Sequence, residues 1–148
     1  MCSSDLAVNV NAGSLMVNGT GAVRSVAGLG STGDAGAIAI ATSQLQLFDG
    51  GQVTSNSRGE GNAGFIAVTT DSLEINGPAT FDDRVAAILS EALDESLGDA
   101  GAIEVTVSGD ALVTNAGFIG SSTFSIGDAG YIDVSAQNLT IKIGRAHV

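Results

Sequence analysis

The chain has almost none of the side chains that usually carry chemistry. Cys2 is its single cysteine, His147 its single histidine and Pro78 its single proline, and it has no tryptophan. Without a second cysteine there is no disulfide framework and no thiolate zinc site. Away from the two termini there is neither histidine nor cysteine, which excludes a Ser-His-Asp triad and a thiol nucleophile. Positive charge is equally scarce: 5 Lys and Arg stand against 16 Asp and Glu, for a net charge of −11. An acidic surface repels nucleic-acid phosphates and anionic membranes, so nucleic acid is not an expected partner. Neither a membrane span nor a phosphate-binding loop is visible. The Gly28-Leu29-Gly30 stretch lacks the strand-loop-helix setting that a dinucleotide fingerprint requires.

Small apolar residues and glycine fill the space that those absences leave. Hydrophobic residues make up 44% of the chain and glycine contributes 21 positions, a composition that argues for order and for many tight turns. The organisation is repetitive. Gly33-Asp34-Ala35-Gly36, Gly61-Asn62-Ala63-Gly64, Gly98-Asp99-Ala100-Gly101 and Gly127-Asp128-Ala129-Gly130 begin 28, 37 and 29 residues apart. Self-similarity at such a period marks a repeat architecture.

Behind each copy the same apolar positions return. Ile38, Ile40, Leu45, Leu47 and Val53 correspond to Ile66, Val68, Leu73, Ile75 and Phe81, then to Ile103, Val105, Ala111, Val113 and Ile119, with one residue inserted before Ala111. Ile132, Val134, Leu139 and Ile141 form the last set, and Val8, Val10, Leu15, Val17 and Val23 an initial one without the glycine phrase. The i, i+2 spacing is that of strands with one face buried, and Gly, Asn and Asp clusters separate them. Such short strands bury a core by stacking coil on coil. The pattern therefore predicts an all-β fold, a parallel β-helix of about five coils of 28–30 residues, with roughly three strands per coil near 7–11, 14–18 and 22–25, then 37–41, 44–48 and 52–55. One solenoid segment spans 7–141, in modules of about 7–32, 33–60, 61–97, 98–126 and 127–141.

Gly33, Gly61, Gly98 and Gly127, with Gly36, Gly64, Gly101 and Gly130, are expected at one corner, where the backbone takes a positive φ or approaches the neighbouring coil closely. Asp34, Asn62, Asp99 and Asp128 should then stack. Their expected role is structural, capping turn N–H groups two residues on. The alternative is a row of calcium ligands at Asp34, Asp99 and Asp128. One rung is a neutral Asn, and the calcium nonapeptide Gly-Gly-x-Gly-x-Asp is absent, so no metal and no cofactor is assigned. The third module carries about nine extra residues after Phe81. Val85, Ile88, Leu89, Ala92 and Leu93 recur at helical spacing there, which predicts an amphipathic helix near 85–96.

Both ends look foreign. Ile143-Gly144-Arg145-Ala146-His147 can be encoded by ATC-GGA-AGA-GCA-CAC, whose reverse complement encodes Met1 (through a GTG start) to Asp5. An inverted match at the two extremes resembles read-through of a sequencing adapter, so residues 1–6 and 142–148 are set outside the fold.

The Gly-Asp/Asn-Ala-Gly phrase, with its following Leu-x-Leu pair and Gly-rich turn, resembles the repeats of filamentous-haemagglutinin-like adhesins, over essentially all of 7–141. The resemblance implies a right-handed β-helix, export by two-partner secretion through an outer-membrane β-barrel transporter, and a secreted or cell-surface location. It further implies a stalk with a structural and adhesive role, glycans or cell-surface proteins as ligands, and no catalysis. No binding residue carries over, because the shared motif is structural. Outward Phe65, Leu112 and Tyr131 could offer apolar contact. A β-helix polysaccharide lyase or hydrolase is the enzymatic alternative, with Asp82-Asp83-Arg84 as its one acid cluster. A surface-layer or matrix protein is a further one.

Overall fold

The computed structural model describes residues 7–77 and 84–142. Nine strands follow one another among them: β1 (Val8–Asn18), β2 (Ala22–Ala27), β3 (Ile38–Phe48), β4 (Gln52–Ser57), β5 (Ile66–Asn76), β6 (Ala87–Ala92), β7 (Ile103–Thr114), β8 (Phe118–Thr123) and β9 (Ile132–Lys142). They sort into two parallel sheets, β1-β3-β5-β7-β9 and β2-β4-β6-β8. Every strand pairs with the one two places along the chain, so each connection passes through the other sheet and the polypeptide winds as a parallel β-helix. With five strands in one sheet and four in the other, four turns are complete and β9 opens a fifth, rather than five full coils.

The apolar repeat sets the register. Val8, Ile38, Ile66, Ile103 and Ile132 lie in one column, and Leu15, Leu45, Leu73, Ala111 and Leu139 in another. Ile38, Leu45, Leu47, Ile66, Ile75, Ile88 and Ile103 are fully buried in a single continuous core. Full burial of such side chains stabilises by roughly 1.5–3 kcal/mol each. On β9, the last described strand, Ile132, Leu139 and Ile141 are exposed.

Two of the three strands expected per coil are one strand. In β3 the backbone pairing continues through the corner, but the inward phase slips: Ile38 and Ile40 face in, Ser43 and Gln44 both face out, then Leu45 and Leu47 face in. The side-chain pattern reads as two elements because a bend without a break resets the alternation. The residue inserted before Ala111 is absorbed in the same place, where the β7 register shifts between Val107 and Asp110.

The helix near 85–96 does not form. That stretch supplies β6, and Ile88, not Phe81, is the residue aligned with Val53 and Ile119. Phe81 lies outside the described residues. Most of the extra length sits before the strand: three residues join β3 to β4 and β7 to β8, whereas ten join β5 to β6. Helical spacing arose because both faces of β6 are apolar. Ala86, Ile88 and Ala92 join the inner wall while Ala87 and Leu89 are buried as well. A short run buried on both faces has no strand-like alternation to read. Among the described residues there is no helix, and so none long and apolar enough to cross a membrane.

Candidate functional site

The repeated phrase occupies the third side of the coil, between the end of one short strand and the next long strand. Its exposed Asp and Asn side chains form a ladder running from coil to coil. Asn62 N donates to Asp34 Oδ1 at 2.7 Å, Asp99 N to Asn62 Oδ1 at 2.8 Å, and Asp128 N to Asp99 Oδ1 at 2.7 Å. The expected cap reached two residues along the same turn; the group actually capped is the equivalent N–H of the following coil. Backbone bonds run beside the ladder, with Ala35 N donating to Asn62 O, Ala63 N to Asp99 O and Ala100 N to Asp128 O, at 2.8–2.9 Å. An Asn serves as well as an Asp here, since each contributes only an Oδ1 acceptor to this bond.

The glycines are required by close approach, not by a left-handed backbone. A Cβ on Gly61 would lie 2.3 Å from Gly33 O, and one on Gly101 would lie 2.2 Å from Gly64 O. Gly98, Gly127, Gly64 and Gly130 repeat that clash against the glycine one coil earlier. None of these has a positive φ; that conformation is confined elsewhere, including Asp49, Gly50, Asn115 and Ala116 in the turns before β4 and β8. Among the described residues, a Cβ on Gly33 would meet nothing within 4 Å.

A second ladder joins this corner to the opposite sheet and was not anticipated. The buried Ser55 Oγ accepts from Gly64 N at 2.8 Å and donates to Gly36 O. Ser90 Oγ, fully buried, accepts from Gly101 N at 2.9 Å and donates to Gly64 O at 3.1 Å. Ser121 Oγ accepts from Gly130 N at 2.9 Å and donates to Gly101 O at 3.0 Å. Each hydroxyl thus satisfies a donor on one coil and an acceptor on the coil before. The signal was present as Val-x-Ser or Ile-x-Ser: Val23-Arg24-Ser25, Val53-Thr54-Ser55, Ile88-Leu89-Ser90 and Ile119-Gly120-Ser121. Aligning those triplets would have located β6.

The remaining candidates do not converge. Among the described residues no three of Asp, Glu, His and Cys come together to hold a metal ion. Asp82 and Asp83 lie outside the described residues, as do Cys2 and His147. Arg84 is strapped to β4: its Nη2 donates to Gln52 Oε1 at 3.1 Å, and Gln52 Nε2 donates to Val85 O at 3.1 Å. Phe65 and Tyr131 share one repeat position, but Ala102 stands on the coil between them, so no aromatic stack forms. The Tyr131 hydroxyl donates to Glu104, and that bond to a carboxylate raises the phenol above its ordinary value of 10.0. Leu112 is partly buried on the outer face of β7, aligned with Glu74 and Thr140. Glu91 is half-buried on β6, and desolvation raises its carboxyl above 4.5. A shallow groove of about 450 Å³ lies between Leu29, Arg58, Leu93, Asp94, Glu95 and Phe124.

Compared with known proteins, the chain matches no family model, no curated protein and no solved structure.

Proposed function

We propose that this chain is a stalk segment of a secreted or surface-displayed bacterial adhesin of the filamentous-haemagglutinin kind, with a structural and adhesive role. The observation that carries the reading is how the repeated polar groups are used. Asp34, Asn62, Asp99, Ser55, Ser90 and Ser121 bond from coil to coil and hold neighbouring turns together. A repeat whose polar groups are engaged this way extends a rod, and solenoids work through length and surface. Export would go through an outer-membrane β-barrel transporter, and the ligands would be glycans or cell-surface proteins. These follow from the resemblance of the repeat.

The test is adhesion. Beads coated with the chain, and with a version lengthened by further copies of the 33–60 module, are exposed to glycan arrays and to bacterial and animal cells. Binding that grows with length supports an adhesive rod. Turnover of a polysaccharide, lost in Asp83→Asn, would replace this reading with the lyase or hydrolase one. Assembly into ordered sheets without binding would favour a surface-layer component.

A further inference from the structure

Two Asn-Gly dipeptides end long strands in this chain, Asn18-Gly19 on β1 and Asn76-Gly77 on β5, and the fold treats them differently. Gly77 is buried; its N–H donates to Thr114 O at 3.2 Å, and a Cβ there would lie 2.6 Å from Val85 Cγ1. The Asn76 side chain is held as well, its Oδ1 accepting from Asn115 Nδ2 at 2.9 Å. β5 has a neighbour on either side, β3 and β7.

Asn18 and Gly19 have none of this. Both are exposed, Gly19 turns with φ 57° and has open space where a Cβ would be, and its N–H makes no hydrogen bond among the described residues. An exposed turn whose amide is unbonded opens locally at far lower cost than one whose amide is bonded and packed.

We propose that Asn18-Gly19 is a site of spontaneous deamidation, selected by the fold over the identical dipeptide at Asn76-Gly77. The Gly19 amide nitrogen gives up its proton to base and attacks the Asn18 side-chain carbonyl carbon. A C–N bond forms and the carboxamide nitrogen leaves as ammonia, closing a five-membered imide. Water then adds to either imide carbonyl, leaving aspartate or isoaspartate at position 18. Glycine matters at the second position because no Cβ hinders the approach of its nitrogen. Both products add a negative charge to an already acidic rod, and isoaspartate also inserts a methylene into the main chain. Ageing therefore begins at the turn that Gly21 N closes onto Asn18 O.

The test is incubation of the whole chain in mildly alkaline heavy-oxygen water, followed by peptide mapping. Label is expected at position 18 at least about tenfold faster than at 76, a gap set by the difference in local opening. In urea the two dipeptides should react at similar rates. Asn18→Gln, whose longer side chain cannot close the same ring, should remove the fast phase. Equal rates in the folded chain, faster reaction at Asn76, no label at Asn18, or a preference that persists in urea would each overturn the proposal.

Discussion

Replacing Gly61 by alanine tests the stacking account most directly. The new Cβ would sit 2.3 Å from Gly33 O and 2.7 Å from Asp34 N, whereas ordinary contact begins at 3.4 Å. The coils would have to part by about 1 Å against a spacing of about 4.8 Å. The Asp34 Oδ1 bond to Asn62 N (2.7 Å) and the Asn62 O bond to Ala35 N (2.8 Å) cross that gap, and such a movement breaks both. Each bond contributes about 1 kcal/mol net, and the overpacking itself costs about 1–3 kcal/mol, so the loss should be about 3–5 kcal/mol. Gly33→Ala is the matched control. It stands at the same repeat position with nothing within 4 Å of its Cβ among the described residues, so it should change stability by less than about 0.5 kcal/mol. Urea denaturation followed by far-ultraviolet circular dichroism, with amide exchange of the Asn62 and Ala35 N–H groups, reads both effects. Equal costs at the two positions, or a Gly61→Ala protein as stable as the parent, would refute the close-approach argument.

Ser90→Ala should cost about 2–4 kcal/mol in the same assay, because it orphans the N–H of Gly101 and the buried C=O of Gly64 together. Ala116→Gly should stabilise by about 0.5–1 kcal/mol. Relief of its left-handed conformation (φ 63°) exceeds the added freedom that glycine brings to the unfolded chain, and a rise in melting temperature checks it. Glu91→Gln should stabilise the chain at neutral pH. Burial raises the folded carboxyl above 4.5, so its ionised form opposes folding above that raised value, and the opposition disappears as pH falls below 4.5. Denaturation midpoints of parent and variant should accordingly converge in acid; a gap that is constant with pH would refute the assignment.

Much of the fold was legible because burial writes itself into spacing. Ile38, Ile40, Leu45 and Leu47 recur as Ile66, Val68, Leu73 and Ile75, and the structure stacks those residues in that register. The misreadings fall where spacing loses its meaning. On β6 both faces are buried and one inward position is Ser90, so its residues carry helical spacing, and most of the insertion precedes the strand rather than following it. The bend at Ser43 split one strand into two for the same reason, since alternation reports which way a side chain faces and not whether the backbone continues. Of the corner, the glycines and the stacked Asp34, Asn62, Asp99 and Asp128 were visible in the phrase itself.

By itself the chain's order of residues determined that coils of this period exist and which apolar side chains fill them, because a repeated pattern of burial needs only a repeated pattern of hydrophobicity. It could not say where each polar side chain would find its partner. Asp34 caps Asn62, 28 residues on, and Ser90 links Gly64 to Gly101, partners brought together by winding alone. A hydrogen bond is made only within about 3 Å and in one direction, so those pairings had to wait for the tertiary structure to set one coil upon the next.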